Sequence, residues 1–171
     1  VSAADLPVRA VPLPAPRGDD GQPSPAYRVK VGFLYNFAAQ TQWPSRVGSE
    51  LALCVFGSDP FGADLASLHG KPVGARTLSV HRHVGFEQLD RCHIVFVPSD
   101  TTANLAQVRS RIADRSVLLV AEQRDALRSG AALNLSIHGD RVTFDANPAA
   151  ARHADLVLSA RLLALANEVV Q

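Results

Sequence analysis

The sequence predicts an α/β fold: a mostly parallel sheet with an antiparallel hairpin at its carboxyl end. Three observations predict it. Leu51 to Phe56, His93 to Val97 and Ser116 to Val120 are short, mainly apolar runs, as expected of strands covered on both faces. Between the last two lies Thr101 to Ala113, with Leu105, Val108 and Ile112 at helical spacing. From Leu133 to Ala146 apolar and polar residues alternate instead, which describes strands with one buried face.

The chain has 171 residues, enough for one domain with a tail. A hydrophobic content of 47% against 19% charged residues describes a folded chain. The formal net charge of +1 argues against a nucleic-acid partner, because phosphate binding needs a basic surface. No apolar run approaches the roughly 20 residues of a membrane span. The chain begins at Val1 and holds no Met, which is expected of a trimmed chain. A removed secretory signal and a cut boundary both account for it.

Residues 1–25 hold six of the eleven prolines. Each proline removes an amide donor and fixes φ, so this part reads as a flexible Pro-rich leader, with the α/β domain over 26–171. From Tyr27 to Trp43-Pro44 the chain is densely apolar and too long for one strand, so a helix is expected, stopped by Pro44. Gly32, Asn36 and Gln40 line one side of it. The remaining surface is apolar enough to need cover on more than one side. Phe33, Tyr35 and Phe37 are therefore the expected partner or dimer surface.

After the Leu51–Phe56 strand, Asp59 and Pro60 suit an N-cap and first turn, predicting a helix from Pro60 to about Leu68 closed by Gly70. A strand over Thr77 to Val80, continuing into His81, and a short turn or helix over Phe86 to Leu89 follow. Arg124 to Arg128 reads as a short helix. With Gly139-Asp140 as a two-residue turn, Ile137 faces Val142 and Leu135 faces Phe144. A last helix is expected from Ser159, its cap, with Leu162, Leu165, Ala166 and Val169 as the buried stripe.

Several of these segments, taken together, resemble the YfiR-like periplasmic family. They are Val29 to Phe37 leading to Trp43-Pro44, Leu53-Cys54-Val55-Phe56-Gly57 with Asp59-Pro60-Phe61-Gly62, and Gly70-Lys71-Pro72-Val73. Cys92 to Phe96, Val142 to Asn147 and Leu158 to Leu163 continue the match. The resemblance runs over about residues 27 to 167, and its order and spacing carry it. It implies a secreted, Rossmann-like α/β domain, a three-layer sandwich, acting as a regulator and not an enzyme. Such proteins resemble repressors that bind the periplasmic region of an inner-membrane diguanylate cyclase and so lower cyclic di-GMP and biofilm formation. An outer-membrane lipoprotein that sequesters the repressor, and a homodimeric state, are implied with it. A small-molecule sensor or solute-binding module in the same compartment is the alternative.

Cys54 and Cys92 are the only cysteines. The residues alone leave two readings open: a bond between neighbouring strands of a sheet ordered 2-1-3, or two buried thiols. The periplasmic home implied by the resemblance selects the bond. His81-Arg82-His83 offers two imidazoles on one strand face, half a metal site with no evident remainder, so neither metal nor cofactor is expected. The loops after the first and third strands, with Ser58, Asp59, Phe61, Ser99 and Asp100, are the candidate ligand crevice, since open α/β sheets bind ligands at strand carboxyl ends. No G-x-G-x-x-G, G-x-S-x-G or H-E-x-x-H is present, and no catalytic set is expected.

Overall fold

The computed structural model describes residues 11–12, 25–99 and 105–170. In chain order it runs β1 (Val11–Pro12), α1 (Pro25–Ala39), β2 (Thr41–Gln42), β3 (Glu50–Phe56), α2 (Ala63–Ala66), β4 (Pro72–Val73) and β5 (Arg76–Val84). Then come β6 (Ile94–Val97), α3 (Leu105–Ile112), β7 (Leu118–Ala121), β8 (Leu133–His138) and β9 (Arg141–Ala146). α4 (Pro148–His153), β10 (Val157–Leu158), α5 (Ala160–Leu165) and β11 (Glu168–Val169) complete it. A 3₁₀ turn at Phe86–Arg91 precedes β6. Apart from Val11, Pro12 and Pro25, the leader predicted for residues 1–25 lies outside the described residues.

The fold is mixed α/β, built on one mixed sheet. Its strands follow the order β4-β5-β3-β6-β7-β8-β9. β5, β3, β6, β7 and β8 pair in parallel, while β4 and β9 run antiparallel to their neighbours. The expected hairpin forms in the expected register, Ile137 against Val142 and Leu135 against Phe144. Gly139 takes φ +66° at the first loop position, where primed hairpin turns favour glycine. The outer edge of β9 takes β1 antiparallel at Arg141–Val142 and β11 parallel at Asp145–Ala146. Pro12 sits in an edge strand, which tolerates a residue without an amide donor.

Side chains alternate between two cores, as a sheet covered on both faces requires. Leu51, Leu53, Val55, Ile94 and Phe96 point to the α1 face. Ala52, Cys54, Val95 and Val97 point to the α3 face, against Leu105, Val108 and Ile112. α1 stops at Ala39, four residues before the predicted Trp43 boundary. Its last carbonyls are capped by side chains: Thr41 Oγ1 donates to Phe37 O (2.7 Å) and Trp43 Nε1 to Ala38 O (3.0 Å). β2 then pairs with β10 to tie this end to the carboxyl-terminal segment. Ser159 caps α5 as expected, accepting from Leu162 N at 3.0 Å and donating to Gln40 Oε1 at 2.9 Å.

Three helix expectations are corrected, and one helix is added. α2 is a single turn because Gly62 takes φ +66° and Asp59 Oδ1 instead accepts from Phe61 N (2.8 Å) in a local Asx turn. Residues 124–128 form turns, since Asp125 adopts φ +61°, a left-handed conformation that no α-helix continues. α5 ends at Leu165 because Ala166 is extended and the open edge of β9 takes Asn167 N and Val170 N onto Phe144 O and Ala146 O. α4 went unforeseen, although Asn147-Pro148 is a good start signal. Asn147 Oδ1 accepts from Ala150 N (3.2 Å) with Pro148 at the first position.

Candidate functional site at the strand carboxyl ends

The central parallel strands deliver their carboxyl ends to one rim. Ser58 and Asp59 follow β3, Ser99 follows β6, and Glu122 follows β7. Glu122 is the organising group there. Its Oε1 receives Lys30 Nζ at 2.6 Å, and its Oε2 receives Tyr27 OH at 2.6 Å and Ser99 N at 2.8 Å. The Lys30 and Glu122 side chains are 6% and 2% exposed. Lys30 also lies 4.6 Å from the Tyr27 ring centroid, over the electron-rich face. In a charge pair this deeply buried, removing one partner strands the other.

The sequence carried a signal for this pair that its reading missed. Lys30 is the only charged residue between Val29 and Trp43, on a helix whose apolar faces must be covered. Glu122 closes the apolar run of β7. A lone charge within one buried element and another at the end of a buried strand each ask for a partner.

The predicted crevice residues are only partly assembled. Asp59 is spent on the fold: Oδ1 accepts from Phe61 N, and Oδ2 pairs with Arg82 Nη1 at 2.9 Å. Phe61 does not line a crevice. It is fully buried, edge-on to Tyr27 (5.3 Å) and Phe96 (5.0 Å), because a phenyl ring at that turn packs inward under α1. Ser58 and Ser99 are exposed, and Asp100 lies outside the described residues. Beyond Glu122, a polar cavity of about 460 Å³ opens along Gln123, Arg124, Asn134 and Asp145. Both oxygens of Glu122 and of Asp59 are engaged, so these two carboxylates hold the rim together.

The expected aromatic surface is corrected. Phe33 and Phe37 are 1% and 0% exposed. They pack on Phe144 at centroid distances of 5.9 and 5.0 Å. Residues four apart share a helix face, whereas Tyr35 stands two positions away on another. Tyr35 is half-buried and donates its hydroxyl to Pro72 O (2.7 Å).

Cys54 and Cys92 are joined in a disulfide, with Cα atoms 6.0 Å apart. Cys54 comes from β3, and Cys92 ends the 3₁₀ turn that leads into β6, the strand beside β3. The bond therefore pins the entry of β6 to β3. The same junction uses His93, whose Nδ1 accepts from Ala52 N at 2.9 Å, completing the β3 ladder just before β6 begins. That donor places the imidazole proton on Nε2. Burial, reinforced by the Arg115 guanidinium, lowers the His93 pKa below its ordinary 6.5.

The regular strand that would set His81 and His83 on one face is interrupted between them. The β3–β5 register shifts at this end and His83 takes φ +59°, because a bulge breaks the two-residue alternation. His81 Nε2 lies 3.0 Å from Ser79 Oγ. Among the described residues no three His, Cys, Asp or Glu side chains group as metal ligands, and no helix is long and apolar enough to cross a membrane.

None of the curated proteins matches the chain. The crystal structure of a conserved domain protein from Vibrio cholerae O1 biovar eltor superposes with a TM-score of 0.54 at 8% identity, over 84% of this chain. The chain spans 60% of that protein's length, and at this identity the likeness is one of fold. The model of the YfiR/HmsC-like family matches residues 27–167, from the tyrosine on Glu122 to the residue that starts the β9 edge pairing. On that match, the chain belongs to the YfiR/HmsC-like family.

Proposed function

We propose that this protein is a periplasmic regulator that binds the periplasmic region of an inner-membrane diguanylate cyclase and holds the cyclase inactive. Cyclic di-GMP and biofilm formation then fall. The observation that carries this reading is the family match over residues 27–167. Two features support it. The Cys54–Cys92 bond suits an oxidising compartment. The rim where an α/β enzyme would keep its reactive groups spends Glu122 and Asp59 on structure instead. In this reading the parallel strands with helices on both faces form a Rossmann-like sandwich that serves as a rigid binding body without chemistry of its own. A homodimer is the working form, and an outer-membrane lipoprotein is the counterpart that sequesters it.

Deleting the gene is expected to raise cyclic di-GMP and surface attachment, measured by nucleotide extraction and by crystal-violet staining. Unchanged nucleotide levels in the deletion strain count against the proposal. The second reading, a small-molecule sensor, is favoured by the polar cavity of about 460 Å³ beyond Glu122. The two readings are compatible where a ligand tunes the inhibition.

A further inference from the structure

The polar cavity beyond Glu122 is bounded by the β8–β9 hairpin. Leu133, Leu135, Val142, Phe144 and Ala146 face the α1 core, so Asn134, Ser136, Thr143 and Asp145 share the opposite face. They form neighbouring rungs, Asn134 against Asp145 and Ser136 against Thr143. Residues directly opposite each other stand about 5 Å apart at Cβ. Asn134, Ser136 and Asp145 line the cavity.

Hydrogen bonds orient the first rung. Asn134 Oδ1 accepts from Gln123 N at 3.0 Å, so Nδ2 is the free end of the amide, with no partner among the described residues. Asn134 is 7% exposed, and a donor left idle on so buried a side chain asks for an acceptor from outside the chain. Asp145 Oδ1 accepts from Asn167 Nδ2 at 3.2 Å, which leaves Oδ2 as a free acceptor. In the second rung Thr143 is buried, and its Oγ1 is the one buried side-chain polar atom among the described residues without a partner.

The free groups of the first rung discriminate by chemistry. A carboxylate on the ligand would meet the charge of Asp145, and an ammonium would meet the N–H donors of Asn134. A hydroxyl accepts and donates at once, so adjacent hydroxyls satisfy both sides of the rung. The charged lining groups do not select an ion either: Arg124 and Asp125 are exposed and opposite in sign, and Glu122 is already paired with Lys30.

We propose that the Asn134–Asp145 rung binds an uncharged polyhydroxylated ligand, a sugar or cyclic polyol, through adjacent hydroxyls. One hydroxyl accepts from Asn134 Nδ2 and its neighbour donates to Asp145 Oδ2. The assignment rests on the small-molecule reading of this cavity and names the ligand class.

The test is calorimetric titration of the full chain with D-glucose, D-ribose and myo-inositol, and with cyclohexanol, acetate and L-alanine as controls. At least one polyol is expected to bind with a dissociation constant of about 1 mM or below, and cyclohexanol, with a single hydroxyl, at least roughly tenfold more weakly. Asn134→Asp and Asp145→Asn each keep their structural hydrogen bond and invert the free group, and each is expected to weaken the polyol roughly tenfold. The double variant again sets a donor opposite an acceptor and should recover most of the affinity, because a pair of hydroxyls fits either polarity. Circular dichroism and melting establish that each variant is folded. Single variants that bind as well as the parent, or a double variant as weak as the singles, would overturn the assignment. Binding of L-alanine or acetate without any polyol would overturn it and leave the sensor reading standing, whereas silence from every probe would count against both.

Discussion

The two faces of the sheet are held by different physics. On the α1 face, large rings interlock: Phe33 and Phe37 on Phe144, and Phe61 between Tyr27 and Phe96. On the α3 face the sheet presents mostly smaller residues, Ala52, Cys54, Val95, Val97 and Ala121 beside Phe56 and Leu119, and a covalent bond fastens it. Where area is large, burial supplies the stability. Where side chains are small, a crosslink that limits the unfolded chain makes up the difference. The Lys30–Glu122 pair stands at the border, joining α1 to the end of β7.

This contrast can be broken from either side. Phe37→Ala removes a fully buried ring and should cost about 3–5 kcal/mol in denaturant unfolding. An oligomeric state unchanged in that variant, by light scattering, would fit a ring that serves the core. Lys30→Ala or Glu122→Ala alone should cost about 3–5 kcal/mol, because each leaves a buried unpaired charge. Lys30→Met with Glu122→Leu should recover most of that loss, and a double variant as unstable as the singles would contradict a desolvation origin. Replacing both cysteines by alanine opens a crosslink of sequence separation 38, and the expected cost is about 4 kcal/mol by the loop-entropy relation. A change near zero would mean that the α3 face holds by packing alone.

The smallest effect sharpens the junction beside the disulfide. His93 has a lowered pKa in the folded protein, from burial first and the Arg115 charge second. As pH falls below about 6.5 the unfolded chain takes up the proton before the folded chain does. Stability is therefore full above that pH and declines as pH drops toward the folded pKa. His93→Asn, whose Oδ1 can accept the Ala52 amide, should flatten the decline between pH 7 and pH 5 in melting curves. An unchanged slope would remove His93 as its source.

Patterns that depend on neighbours in sequence were legible. The β8–β9 register followed from a period of two and one turn glycine, and the Ser159 cap from a polar residue before an apolar run. Elements set by distant partners were not. The sequence alone extends α5 to Val169, because the free edge of β9 that captures Glu168–Val169 exists only once the sheet has formed. Phe33, Tyr35 and Phe37 were grouped by composition, although helical spacing already separates Tyr35 from the other two. Asp59 reads from the sequence as a helix N-cap at a candidate ligand loop. Its two oxygens are instead claimed by Phe61 N next to it and by Arg82 on β5. The Glu122 cluster joins residues about ninety positions apart, and only the apolar company of Lys30 and of Glu122 hints at it.

The central claim is that this chain acts by holding another protein. The direct measurement is titration of the purified, disulfide-intact chain into the isolated periplasmic region of an inner-membrane diguanylate cyclase from the same organism, with cyclase turnover followed in membranes. The account predicts a saturable complex of fixed stoichiometry, with a dissociation constant of about 1 μM or tighter, and turnover that falls as the complex fills. Absence of a complex, or turnover indifferent to saturating protein, would contradict it.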